Sequence, residues 1–436
     1  MYLERLTLEN YRLFENTSID FHKQLTVLAG DNGSGKTAIL EGAAIALGTL
    51  FTKLDNIPGN RIKKTDAHLK AFILGTSEDV QAQYPVRISA NGNLAGNQIE
   101  WSRSLNAPNG NTTLGDAADV VRLSKAIQTR LRKGDTSLRL PLIAYYGVGR
   151  LWDYHRGKKT DIFKTTTRTN GYIDCLHGTA NIKLMMTWFH KMTIQKYQRQ
   201  EQGVPPASGL QAVYQAMAEC FKGSSEFHKV GILYNLNTND LDLYYTDENK
   251  LRMRIPLSQM SAGYKCTVSL IADIAYRMTN LNPQLGDDVL TETEGVVLID
   301  EIDLHLHPLW QQHILTDLRR IFPKVQFILS THAPAVINSV HSENLVILKN
   351  SQPQQASSQV YGKDVKSVLG EIMGADERPQ PVSQLFDAFY QQLSAQKYDA
   401  AEATLNKLDS LREYHDPEVA GCRVKLKLER IRGGAV

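Results

Sequence analysis

The chain has 436 residues, 42% of them hydrophobic and 22% charged. That balance predicts a folded protein of two or three lobes and excludes a disordered or fibrous one. The formal net charge of +3 hides an asymmetry, because Arg122 to Arg199 holds sixteen Lys and Arg against four Asp. This segment reads either as a surface for nucleic acid or an acidic partner, or as a solvated helical face. There is no uncharged apolar run of about 18 residues, and MYLERLTLENYRLF carries charges where a secretory core is apolar. A cytoplasmic protein with no membrane contact is expected. Cys175, Cys220, Cys266 and Cys422 show no CxxC spacing, which predicts reduced thiols and neither a disulfide framework nor a zinc knuckle.

In chain order, LERLTLEN, NTSIDF and QLTVLAG alternate as three short strands. GDNGSGKTAILEGAAIALGTLF then turns from glycine-rich to apolar at helical spacing (Ile39, Leu40, Ala43, Ile45, Ala46), which predicts a strand, loop and helix unit. VRISANGNLAGNQIEWSRSL reads as a hairpin turning at NGN, and LPLIAYYGVGR as a further strand. Between about 152 and 230, KLMMTWFHKMTIQKYQRQEQ and GLQAVYQAMAECF predict a helical insertion broken at GVPPASG. GILYNLNTNDLDLYYTDENKLRMRIP predicts antiparallel strands leading into LSQMSAGYKCTVSLIADIAYRM, a small-residue turn before a helix. EGVVLIDE, WQQHILTDLRRIF, KVQFILST and ENLVILKN alternate strand and helix, and their apolar strands imply a buried, largely parallel sheet. Beyond about residue 360, two or three amphipathic helices forming a hairpin are expected.

Residues 30 to 37, GDNGSGKT, match GxxxxGK[ST] after a predicted strand and before a predicted helix, the context this phosphate-binding loop requires. Backbone N–H groups of Gly30, Asp31, Asn32, Gly33, Ser34, Gly35, Lys36, Thr37 and Ala38 are the candidates to cradle a nucleotide's phosphates, aided by the helix dipole. Lys36 is placed to hold the β and γ phosphates of ATP, and Thr37 to ligate Mg²⁺. In VVLIDE, a buried strand delivers Asp300 to its end, where a carboxylate can serve Mg²⁺, and Glu301 beyond it can polarise an attacking water. His332, ending a third apolar strand in QFILSTHAP, is either a structural strand-end residue or a contact to the γ phosphate or the water. In MSAGYK, Ser261 and Gly263 offer a hydroxyl and free N–H groups at a helix start. One phosphate grip exists already, so this second one is expected to close over the γ phosphate from outside. His305 and His307 have HxH spacing, readable as metal ligands or as ordinary loop residues.

GDNGSGKT, MSAGYK, VVLIDE and STHAP, in that order, resemble the Walker A, signature, Walker B and switch-histidine motifs of ABC-type ATPases, in the branch containing SMC, RecF and overcoming-lysogenization-defect proteins. LTLENYRLFENTSIDF is similar to that branch's opening strands, and DEIDLHLHP to its Walker B and D-loop segment. The resemblance implies an α/β ATPase head with a mixed, mostly parallel central sheet, an antiparallel β subdomain, a helical insertion and a C-terminal helical hairpin. It further implies ATP and Mg²⁺ as ligands, and head-to-tail dimers or higher homo-oligomers with each ATP between one copy's Walker A and another's signature. The catalytic set carried over is Glu301, His332, Lys36, Ser261 and Gly263, with Thr37 and Asp300 on the metal. Ala262 and Tyr264-Lys265 depart from transporter signatures. No glutamine stands at the Q-loop, where Tyr146, Gly147 and Arg150 are the positional candidates, and HLHP replaces the usual D-loop residues.

Expected boundaries are 1–150 for an N-terminal ATPase lobe, 151–230 for the basic insertion, 231–355 for a C-terminal ATPase lobe and 356–436 for a helical partner-docking region. The span between Walker A and signature has no heptad arms, and no DxD nuclease motif follows His332. YYGVGRLW, YGKDVKSVLGEIMGADERP and the helical tail resemble the PtuA-type ATPase subunit of Septu anti-phage systems, also found beside some retrons. That implies an ATPase, with no nuclease of its own, that scaffolds and regulates a separate HNH-type nuclease, with DNA or a phage-derived ligand as a possible trigger. A RecF-like DNA-binding repair ATPase and a non-hydrolysing structural ATP-binding subunit are the alternative readings.

Overall fold

The computed structural model describes residues 1–151, 167–178, 182–205, 208–222, 227–247, 250–356, 359–374, 378–411 and 417–432. It divides into two compact units, 1–363 and 364–436. The first opens with β1 (Tyr2–Tyr11), β2 (Phe14–Asp20) and β3 (Leu25–Gly30), whose carboxyl end feeds α1 (Lys36–Leu47). Next come β4 (Leu69–Leu74), β5 (Ser77–Ala82), β6 (Val86–Leu94), β7 (Asn97–Leu105), α2 (Ala118–Arg132) and β8 (Leu142–Tyr146). Helices α3 (Ile182–Glu201) and α4 (Ser208–Glu219) precede β9 (His228–Asn235), β10 (Asp240–Thr246) and β11 (Arg252–Pro256). Then follow α5 (Ala262–Leu281), α6 (Val289–Glu292), β12 (Gly295–Ile299), α7 (Pro308–Ile321), β13 (Val325–Ser330), α8 (Pro334–Ile337), β14 (Leu345–Lys349) and β15 (Gln352–Gln355).

Six strands form the central sheet in the order β15-β14-β3-β13-β12-β8, parallel throughout except for the β15 edge. LTVLAG, LIAYY, GVVLI and VQFILS are buried at every position, as a sheet covered on both faces demands. Because β3, β8, β12 and β13 run the same way, Gly30, Tyr146, Ile299 and Ser330 reach one common edge. Separate antiparallel sheets, β2-β1-β6-β7, β11-β10-β9 and the ribbon β4–β5, complete the α/β fold that the sequence predicts.

The hairpin turn is displaced from NGN. Its two turn residues are Ala95 (φ 52°) and Gly96 (φ 86°), a pair of positive φ angles that matches the twist of the flanking strands. NGN instead lies within β6, where a side chain on Gly92 would stand 2.4 Å from the Tyr2 carbonyl oxygen, beside the β1 bulge between Leu3 and Arg5.

The signature-proximal helix α5 is fastened to the sheet by a buried cluster. Tyr146 Oη donates to Asp273 Oδ2 at 2.8 Å, Arg277 Nε donates to the same oxygen at 2.7 Å, and Arg277 Nη1 donates to the carbonyls of Gly171 and Ile173. Breaking such a pair costs about 3–5 kcal/mol, since one charge is left uncompensated. In the basic segment, Arg122, Arg130, Arg132 and Arg139 pair with Asp119, Asp135, Asp55 and Glu292. Its residues 152–166 and 179–181 lie outside the described residues. The four cysteines are free and buried. Among the described residues, no helix is long and apolar enough to cross a membrane.

The second unit consists of α9 (Val365–Glu371), α10 (Gln380–Ser394), α11 (Tyr398–Ser410) and α12 (Pro417–Arg432). Helices α10 to α12 enclose a core of Phe386, Phe389, Leu405, Leu408, Cys422 and Leu426.

Candidate nucleotide-binding site

The Walker A turn leaves β3 and enters α1 through Gly35. Its φ of 104°, and the Phe14 ring that would stand 2.5 Å from any Cβ at this position, admit only glycine. Asp31, Asn32, Gly33 and Thr37 face solvent, while Ser34 and Lys36 are buried. Lys36 Nζ donates to the carbonyls of Gly30 and Asp31, both at 2.8 Å, with Ser34 Oγ at 3.5 Å. Burial lowers the Lys36 pKa, against the opposing pull of Asp300, Glu301, Asp31 and Asp303.

Across the sheet edge, Thr37 Oγ1 donates to Asp300 Oδ2 at 2.7 Å. Asp300 is 1% exposed, and its other oxygen accepts from Ser330 Oγ at 2.5 Å. The same Ser330 oxygen accepts the Glu301 N–H at 2.8 Å, so one hydroxyl bridges the two carboxylate residues. Glu301 has φ 48°, a left-handed conformation that costs of order 1–3 kcal/mol and persists only where its surroundings hold it. Here the Glu301 and Ile302 N–H groups both end on Ser330. Just past the same strand end, Thr331 Oγ1 donates to Asp303 Oδ1 at 2.6 Å, and the His332 N–H donates to that oxygen at 3.3 Å. Burial first, and the Lys36 charge second, lower the His332 pKa, so its ring is neutral at neutral pH.

Ser261 and Gly263 make no hydrogen bond to this cluster among the described residues. Ser261 occupies the N-cap of α5 with extended backbone, yet its side chain makes no capping bond and is exposed. Gly263 is needed for close approach, because a Cβ there would lie 2.6 Å from the His305 carbonyl oxygen. Tyr264 fixes the turn from behind: its ring stacks on Phe221 and meets Phe227 and Trp310 edge-on, with Trp310 centred 4.9 Å away at the start of α7. His307 caps α7, its Nδ1 accepting from the Leu309 N–H at 3.4 Å. Neither His305 nor His307 belongs to a metal-holding group of three or more His, Cys, Asp or Glu among the described residues.

At the Q-loop position, Tyr146 is not available to a nucleotide, since it is 2% exposed and bonded to Asp273. The Gly147 N–H donates to the Gly178 carbonyl at 2.7 Å, and the Arg150 side chain lies outside the described residues. Ser330, Asp303 and the Asp273–Arg277 pair belong to this architecture although the sequence analysis assigns them no role. The available signals are a serine two residues before His332, a second aspartate in DEIDLHLHP and an i,i+4 ion pair inside an apolar helix.

A glycine-lined loop at a helix start, facing a buried carboxylate at the end of a parallel strand, defines the class: a P-loop ATPase. Residues 5–204 match the family model described as "AAA domain", and residues 176–338 match "AAA domain, putative AbiEii toxin, Type IV TA system". The chain is similar to "Retron Ec83 probable ATPase" of Escherichia coli, 27% identical over 486 aligned positions that cover 97% of this chain and 85% of that protein. It is similar end to end to "Septu protein PtuA" of Bacillus thuringiensis, 24% identical over 456 positions covering 100% and 99%. A stretch of 41 residues is 49% identical to "DNA replication and repair protein RecF" of Clostridium acetobutylicum, covering 9% and 11%. The chain is thus an ATPase with two AAA-domain matches, similar along nearly its whole length to ATPases of the retron and Septu systems.

Proposed function

We propose that the chain is the ATP-binding and ATP-hydrolysing subunit of an anti-phage defence complex, in which it scaffolds and regulates a separate HNH-type nuclease. The observation that supports this reading is the contrast between a wired half-site, Thr37–Asp300–Ser330–Glu301, and an exposed signature hydroxyl on Ser261. Lys36 exchanges its loop carbonyls for the β and γ phosphates of ATP. Thr37 and Asp300, two hard oxygen donors brought together at the sheet edge, would hold Mg²⁺. Bound Mg²⁺ supplies charge neutralisation at the phosphates. Glu301 takes the proton of the attacking water, and neutral His332 hydrogen-bonds the water or the γ phosphate. Ser261 and the Gly263 N–H complete the site of a second copy, which makes the assembly a head-to-tail homodimer or a larger homo-oligomer.

The repair reading draws on the basic segment, but Arg122, Arg130, Arg132 and Arg139 there are already paired with carboxylates. The non-hydrolysing reading is separated by Glu301→Gln, which must change function if turnover matters. Copurification of the tagged chain with an HNH-type nuclease encoded beside it, and plaque counts on cells carrying both, test the proposal. Complex formation, with protection lost in Lys36→Ala, is expected. Full protection by Lys36→Ala, or DNA cleavage by the chain alone, sinks it.

A further inference from the structure

We propose that the chain carries a second ligand site, for a phosphate attached to a ring as in the nucleoside phosphates, in the cleft around Arg103. The cleft measures about 740 Å³, within the range of small-ligand pockets. Phe51, Ile57 and Leu114 supply apolar wall, and Arg61, Arg103 and Asn111 supply polar groups.

Arg103, on β7, is 4% exposed, and its Nε has no hydrogen-bond partner. Nη1 donates to the Asn60 carbonyl at 2.6 Å and to the Ile45 carbonyl at 3.5 Å, both uncharged acceptors. A guanidinium does not give up its proton, and one this buried ordinarily lies against a carboxylate. The charged neighbour here is another cation. Burial, with repulsion from Arg61 added, pulls the Arg103 pKa down to about 10. Arg61 itself is exposed and makes no ion pair among the described residues. An anion with several oxygens in the cleft relieves the repulsion between the two guanidinium groups. The apolar wall adds a second requirement, because a bare inorganic anion leaves Leu114, 37% exposed, against water. A phosphate bearing a flat ring meets both.

This site is distinct from the Walker A loop. Arg103 reaches the Ile45 carbonyl near the carboxyl end of α1, whose first residue is Lys36. The helix that starts at one site therefore ends at the other, about 18 Å away for its 12 residues. A free mononucleotide and the 5′-phosphate end of a nucleic-acid strand present the same chemistry.

The test uses full-length protein in the Lys36→Ala background, which removes the Walker A contribution. Binding of AMP, GMP, CMP and UMP is measured by calorimetry, and that of short DNA strands with 5′-phosphate or 5′-hydroxyl ends by fluorescence anisotropy. At least one phosphorylated probe is expected to bind, and to lose about tenfold or more in affinity on Arg61→Glu, an exposed position, and on Arg103→Met. Stronger binding of a mononucleotide identifies a free ligand; stronger binding of the 5′-phosphorylated strand than of its 5′-hydroxyl twin identifies a strand end. Absence of binding by every phosphorylated probe, or binding that Arg61→Glu leaves unchanged, overturns the site. Failure of the Walker A assignment has a different signature, namely wild-type ATP affinity in Lys36→Ala alone.

Discussion

The Walker A and B edge and the signature turn are built by opposite means. At the first, Lys36, Asp300 and Ser330 are buried and held by charge-assisted hydrogen bonds of 2.5–2.8 Å, Lys36 to the Gly30 and Asp31 carbonyls and Asp300 to Thr37 and Ser330. At the second, Ser261 is exposed with no capping bond, and its neighbours are held by aromatic packing of Tyr264 and the contact of Gly263 with His305. Polar groups that must be aimed before the substrate arrives gain from a low-dielectric surround. Groups that meet another molecule, as proposed for Ser261, have to stay at the surface, so their rigidity comes from packing behind them.

Five measurements break or sharpen that contrast. The largest effect is expected from Lys36→Ala, with ATP affinity in calorimetry falling about 100-fold or more, as for removal of a desolvated charged contact. Near-normal affinity ends the Walker A assignment. Ser261→Ala is expected to leave ATP affinity within about twofold while turnover drops about 100-fold, the scale of losing one aimed donor. Mixing it equally with Lys36→Ala should restore about a quarter of wild-type turnover, because only mixed head-to-tail dimers contain an intact site. No recovery places the signature in its own copy's site. Ser330→Ala removes a hydroxyl from a buried carboxylate, worth about 1.5–3 kcal/mol. Turnover should fall about 10- to 100-fold, and an unchanged rate means Asp300 and Glu301 need no bridge.

Tyr264→Leu removes aromatic pairs worth about 0.5–1.5 kcal/mol each. A several-fold loss of turnover at unchanged ATP affinity is expected; loss of ATP binding instead makes the two edges one unit. The smallest effect is in pH. The His332 pKa lies below its ordinary 6.5, so the ring stays neutral above that pH and gains a proton only further into acid. A several-fold acid fall in rate attributable to His332 should therefore lie below pH 6.5 and disappear in His332→Gln, whereas a fall centred above it contradicts the neutral ring.

The wired edge was legible wherever its residues are contiguous. GDNGSGKT and VVLIDE each carry their chemistry within eight residues or fewer, and the flanking apolar runs announce buried strands. Ser330 was not legible, because its place depends on the parallel register that pairs Ile299 with Leu329 and so sets Asp300 beside Ser330. Tyr146 misled for the same reason: its position along the chain suits a Q-loop, but its side chain points to α5 and Asp273. The ribbon β4–β5 escaped notice because it is exposed along nearly its whole length, leaving LKAFIL and SEDVQA without the alternation that marks a half-buried strand. The NGN turn failed because Gly92 answers to the crowding of β1 and not to a change of direction.

The partners of β3 carry a consequence for biosynthesis. This strand forms in the first thirty residues, yet it pairs only with β13 and β14, so Leu28 finds Ser330 and Val346 some three hundred residues later. At translation rates of about 5–20 residues per second, the apolar LTVLAG segment waits roughly 15 to 60 s without its neighbours. A chain stopped short of β13 has the Walker A sequence but neither strand that seats it, so premature termination is expected to yield sticky fragments instead of partly active ATPases.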